Sequence, residues 1–96
     1  MNFRVGAKAR AELLEAAFWY DDQQPALGNE FLYEAEAIFS RLAAYPLQFP
    51  ISYKNLRRAL LKRFPYAVYF ELDSDKGITV IAVLHQRQDR TQLDER

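Results

Sequence analysis

The sequence contains no cysteine, so it can hold neither a disulfide framework nor a thiolate metal site. Its single histidine, His85, leaves no histidine cluster. Glycine and proline are scarce, at 3 and 4 residues, and no low-complexity stretch or linker interrupts the chain. No apolar run approaches the roughly 18 residues a bilayer span requires. The N-terminal residues show no apolar secretion segment either, so the expected location is the cytoplasm. Net charge is also lacking: 13 Lys and Arg balance 13 Asp and Glu. That argues against a protein living on a nucleic-acid backbone, because such proteins carry a large positive surplus.

What is present is apolar and aromatic. Half of the 96 residues are hydrophobic and 15% are aromatic. That is enough for one small domain spanning residues 1–96, with a thin core that a partner could help to cover. The charges are balanced overall but unevenly placed. Residues 57–63 (RRALLKR) are purely basic, whereas acidic side chains gather in residues 12–36 and 71–75.

Residues 2–6 alternate Phe3 and Val5 with polar neighbours, the pattern of a short strand. From Ala7 to about Gln23 the composition turns to Ala, Leu, Glu and Lys, which favour helix. Ala9, Leu13, Ala16 or Ala17, and Tyr20 fall on one stripe, which Leu14 and Phe18 are expected to widen. The segment 21–28 (DDQQPALG) reads as a turn. A second helix follows with Phe31, Ala35, Ile38 and Leu42 in register, flanked by Leu32 and Phe39. It should stop near Tyr45, which precedes Pro46. Residues 56–64 and 66–73 then read as strands. Residues 78–85 (ITVIAVLH) read as a strand buried on both faces at its middle. A turn is expected at 73–77, and the polar tail 87–96 has room for a helical turn. The result is an α+β fold of order β-α-α-β-β-β: a helical hairpin on one face of a small antiparallel sheet, the other face partly bare.

Four ordered stretches carry a family resemblance. They are AELLEAAFWYDDQQPALGNEFL, then Tyr45-Pro46-x-x-Phe49-Pro50, then Arg57-Arg58-x-Leu60-x-x-Arg63-Phe64-Pro65-Tyr66-x-Val68-Tyr69, and Ile81-x-Val83-Leu84-His85-Gln86-Arg87-x-Asp89. Together, from about Ala9 to Asp89, they resemble the RelE/ParE toxins of type II toxin–antitoxin systems. The resemblance implies a small microbial-RNase-like domain held inactive by a cognate antitoxin whose segment wraps the toxin. RelE-like members cut messenger RNA at the ribosome; ParE-like members poison DNA gyrase without breaking bonds themselves.

Candidate site residues follow. Strand alternation across 56–64 would place Arg58 and Lys62 on one face and Arg57 and Arg63 on the other. Such arginines suit phosphate or an acidic partner surface, and equally suit an edge strand kept soluble by charge. His85 and Arg87, two residues apart, would share a face near Arg63. If the chain were a nuclease, those three would supply the base and the cations that phosphate chemistry needs. A lone histidine is more often a strand-end cap, with Arg87 pairing with Asp89 or Glu71. Trp19 is a candidate interface anchor and Tyr20 a core residue. Tyr69, at mid-strand, is assigned to packing. The carboxylates Glu12, Glu15, Glu34 and Glu36 read as a solvated face without chemistry. The tail after Arg87 has neither Tyr nor Lys, and Lys62 is the only lysine near the central strands. That favours the gyrase-binding branch over the RNA-cutting one. No cofactor and no metal is expected. Direct nucleic-acid binding is not expected either.

Overall fold

The structure, a computed structural model, describes residues 2–75 and 77–96. β1 (Phe3–Val5) leads into α1 (Ala7–Gln23) and α2 (Leu27–Ala44). A 3₁₀ turn (Pro46–Gln48) follows, then β2 (Ile51–Tyr53), β3 (Leu56–Leu60), β4 (Tyr66–Leu72), β5 (Ile78–His85) and a C-terminal 3₁₀ helix (Arg90–Glu95). The α+β arrangement is the expected one, and two differences extend it. A three-residue β2 pairs with the start of β3 through a turn in which Lys54 adopts a positive φ of 52°. The strands form one sheet in the order β1-β5-β4-β3-β2, and β1 runs parallel to β5, so the sheet is mixed.

Both helices owe their closeness to small residues. The side chains α1 buries are Ala9, Ala16 and Ala17, whereas α2 buries Phe31, Ala35, Ile38 and Leu42, as its spacing predicts. Gly28 sits where α2 crosses α1; a Cβ there would lie 2.3 Å from the Ala17 carbonyl oxygen. The hairpin is tighter than expected from sequence. α1 runs to Gln23 as its composition predicts, but α2 already begins at Leu27, with Ala26 turning the chain in the left-handed region at φ 71°. Asp21 completes the junction by accepting the Gly28 N–H at 2.7 Å, which satisfies one of the unpaired donors opening α2. α2 stops before Tyr45, whose position ahead of Pro46 disfavours helix.

Leu14 and Phe18 do not widen the buried stripe of α1. They point outward, Phe18 with 68% exposure. The buried width of α1 is taken up by alanines, and the larger side chains find no space between the layers. The main core lies between helices and sheet, with Phe31, Ile38, Leu42, Val68, Phe70 and Val80 at its centre. At one end Tyr20, Phe31, Phe64 and Tyr66 form an aromatic cluster, Tyr20 and Phe64 packing edge-on at 4.8 Å.

The opposite sheet face is less bare than expected. The C-terminal 3₁₀ helix lays Leu93 over Leu56, Ala67, Tyr69, Ala82 and Leu84. This explains why β5 is apolar on both faces: Ile78, Val80 and Val83 serve the main core, Ala82 and Leu84 the second. A register shift in the β4–β5 pairing, between Tyr69 and Phe70, switches the alternation midway. The turn expected at 73–77 includes Lys76, which lies outside the described residues; beside it, the Asp73 N–H donates to the Gly77 carbonyl at 2.8 Å.

β1 ends early and leaves the adjoining edge of β5 unpaired beyond Val80. Side chains complete it. Glu12 of α1 accepts the Val83 N–H at 3.0 Å, and Arg96 donates to the Ile81 carbonyl at 2.8 Å. The two side chains also pair with each other through both carboxylate oxygens, with only 6% of the Arg96 side chain exposed. Glu12, assigned to a solvated face from sequence, instead closes a sheet edge.

Candidate partner-binding surface

β3 ends at Leu60, so the alternation expected to run to residue 64 stops there. Within the strand it holds: Arg58 and Leu60 face away from the helices, opposite Tyr69 and Ala67 of β4. The small Ala67 leaves a hollow of about 390 Å³ on this face, lined by Arg58, Leu60, Tyr69, Gln88 and Arg90 among others. Tyr69 is buried, in keeping with a packing role. Arg90 is steered by the Ser52 hydroxyl at 3.1 Å and lies over the Tyr53 ring. The described residues form three ion pairs, Lys54–Asp94, Arg63–Glu30 and Arg96–Glu12, and Arg58 takes part in none of them. The hollow therefore presents guanidinium charge beside an aromatic wall, a surface suited to carboxylate or phosphate.

His85, at the end of β5, also lines this hollow, so the fold brings it together with Arg58; the remaining candidates lie elsewhere. Arg57 faces the helix side and donates to the Phe49 carbonyl at 2.6 Å, tying the segment before β2 to β3. Lys62 and Arg63 fall in the β3–β4 loop rather than on a strand, and both turn toward α2. Their amides donate to the Glu34 carboxylate, and the Arg63 guanidinium pairs with Glu30 at 2.6 Å. Glu30 and Glu34 thus fasten the loop to α2, a role without a signal in local sequence because it spans about thirty residues.

His85 is the last residue of β5, and Arg87 follows in a turn, so the two do not share a strand face. They meet differently: the Arg87 N–H donates to His85 Nδ1 at 3.0 Å, while the His85 N–H donates to Gln88. The imidazole caps the strand end by accepting an amide proton. Its ring packs edge-on against Tyr66 at 5.2 Å. With Nδ1 engaged as an acceptor, the neutral ring carries its proton on Nε2. Arg87 forms no ion pair with Asp89 or Glu71 among the described residues.

Trp19 is 56% exposed at the outer end of α1, edge-on to Tyr20, and Tyr20 packs into the aromatic cluster as expected. Burial and then the neighbouring Tyr66 push the Tyr20 hydroxyl up from the usual tyrosine range. Burial and then the Glu15 charge do the same to Tyr66. On the tail, hydrogen bonds from Lys54 and Tyr53 hold the Asp94 carboxyl below the usual carboxylate range. Among the described residues no three His, Cys, Asp or Glu side chains come together as a metal site, and no helix is long and apolar enough to cross a membrane.

A family model described as "ParE toxin of type II toxin-antitoxin system, parDE" matches residues 3–90. Among solved structures, one from the "Chromosomal ParDE TA system from P. aeruginosa" superposes with a TM-score of 0.79. At 19% identity it covers 88% of this chain and 95% of its own. No curated protein matches in sequence.

Proposed function

Because the chain belongs to the ParE toxin family of type II toxin–antitoxin systems, we propose that it inhibits bacterial growth by binding DNA gyrase in the cytoplasm, and that a cognate antitoxin neutralises it. The observation that carries the gyrase reading over messenger-RNA cleavage is the state of Arg63, His85 and Arg87. Arg63 pairs with Glu30 of α2, Arg87 lies in a turn, and the hydrogen bond to His85 Nδ1 occupies the lone pair that a general base needs. What remains available is a binding surface: the Arg58 hollow on the sheet.

The antitoxin partner is supported by exposed apolar side chains along the outer faces of the helices, with Phe18 and Tyr33 at 68% and 70% exposure. A groove of about 770 Å³ beside α2 is lined by Tyr33 and Ala37 together with Lys62 and Arg63, among others. Such a surface suits an amphipathic segment laid into it.

The test is a supercoiling assay with purified gyrase. Inhibition by the wild-type chain, its loss in Arg58→Glu, and retained antitoxin binding by that variant are the expected results. Normal supercoiling at large toxin excess, together with codon-positioned message cuts after induction, would overturn the reading in favour of a ribosome-dependent endonuclease.

A further inference from the structure

Between α1 and the end of β5 lies a second cavity, of about 450 Å³, whose walls include Glu12, Glu15, Trp19, Tyr20, Tyr66 and His85. Glu12, Glu15 and Trp19 follow one another at helical spacing, so they rise along a single face of α1. The two carboxylates differ in state. Glu12 is saturated by Arg96 and the Val83 amide, whereas Glu15 is in none of the ion pairs formed among the described residues. Its charge is felt inside the cavity, since it helps to raise the Tyr66 hydroxyl. The surrounding rings stand edge-on to one another, Trp19 against Tyr20 at 5.1 Å and Tyr66 against His85 at 5.2 Å.

We propose that this cavity receives an arginine side chain from the antitoxin segment that covers the helices, Glu15 pairing with the guanidinium and the aromatic rings flanking its plane. An anion would be repelled by Glu15, and an apolar side chain would strip water from that carboxylate without replacing its hydrogen bonds. A cation satisfies carboxylate and ring faces together, and a planar guanidinium with five donors also reaches Gln88 at the rim. The proposal rests on the reading of the chain as an antitoxin-bound toxin, and it deepens that reading by naming the contact.

Trp19 is the only tryptophan, so its emission reports on this cavity directly. The experiment titrates the full chain with N-acetyl-arginine amide and, in parallel, with its neutral isostere N-acetyl-citrulline amide. A saturable change at millimolar arginine amide, about tenfold weaker with citrulline, is expected of one charge-assisted contact at a partly exposed site. Glu15→Gln should abolish the difference between the two ligands and weaken the antitoxin complex about tenfold. Equal response to both ligands in the wild-type chain overturns the cation site without any variant being needed. A cation site that survives in the isolated chain, while Glu15→Gln binds antitoxin as tightly as wild type, overturns the assignment of the occupant. Failure of any antitoxin to bind would instead sink the toxin–antitoxin reading, and the titration of the isolated chain is independent of it.

Discussion

Replacing Glu12 by alanine tests the closure of the β5 edge. The carboxylate serves two clients: the Val83 N–H at 3.0 Å and the Arg96 guanidinium, whose side chain is 94% shielded. Stranding a backbone donor costs about 1–3 kcal/mol. Breaking a buried ion pair from one side can cost about 3–5 kcal/mol. The pair itself should contribute less than that here, about 1 kcal/mol, because Glu12 keeps 20% exposure and Arg96 sits at the end of a short 3₁₀ segment that can swing into water. We expect Glu12→Ala to lose about 2–3 kcal/mol and Arg96→Ala about 1–2 kcal/mol. The difference arises because Glu12 keeps Val83 when Arg96 is removed, whereas Arg96 without Glu12 keeps only the Ile81 carbonyl. The double variant should fall short of additivity by about 1–2 kcal/mol. Urea titration followed by circular dichroism measures all three, against a total stability on the order of 5–14 kcal/mol for a chain of this length. Hydrogen exchange at the Val83 amide gives a local check. If Arg96→Ala costs as much as Glu12→Ala, or the two effects simply add, the edge-closing account is wrong.

Gly28→Ala should destabilise the hairpin by about 2–4 kcal/mol, because its Cβ would stand 2.3 Å from the Ala17 carbonyl oxygen and force the helices apart; thermal denaturation reads the loss. Ala26→Gly should stabilise by about 0.5–1 kcal/mol, since a left-handed φ of 71° strains alanine but not glycine; an unchanged or lower melting temperature would contradict this. Tyr20 and Tyr66 ionise later in the folded chain than in the unfolded one, so the folded state holds more protons in that window. Stability should be flat below about pH 10 and fall as pH rises through the raised folded values. Tyr66→Phe should flatten that fall, and an unchanged alkaline slope would refute the assignment. Asp94 is held low, so its contribution is present above the usual carboxylate range and lost as pH drops through its folded value. Asp94→Asn should shrink the acid-side loss of tail docking, seen as increased exchange of amides in residues 90–95.

The sequence by itself determined the layer arrangement. Helical spacing of Phe31, Ala35, Ile38 and Leu42, the stop ahead of Pro46, and the doubly apolar run of β5 are all consequences of neighbours within a few residues, where periodicity speaks directly. Only the tertiary structure decided which charges are occupied. Glu12 closes an edge 71 residues away, Glu30 and Glu34 hold Lys62 and Arg63, and Leu93 covers a face that looked bare. It also turned Phe18 outward, because alanines had already filled the space beneath α1. A carboxylate on a helix surface has the same local pattern whether it meets water, a strand edge or a partner's arginine. Its role depends on what the fold brings opposite it, and local sequence carries no record of that.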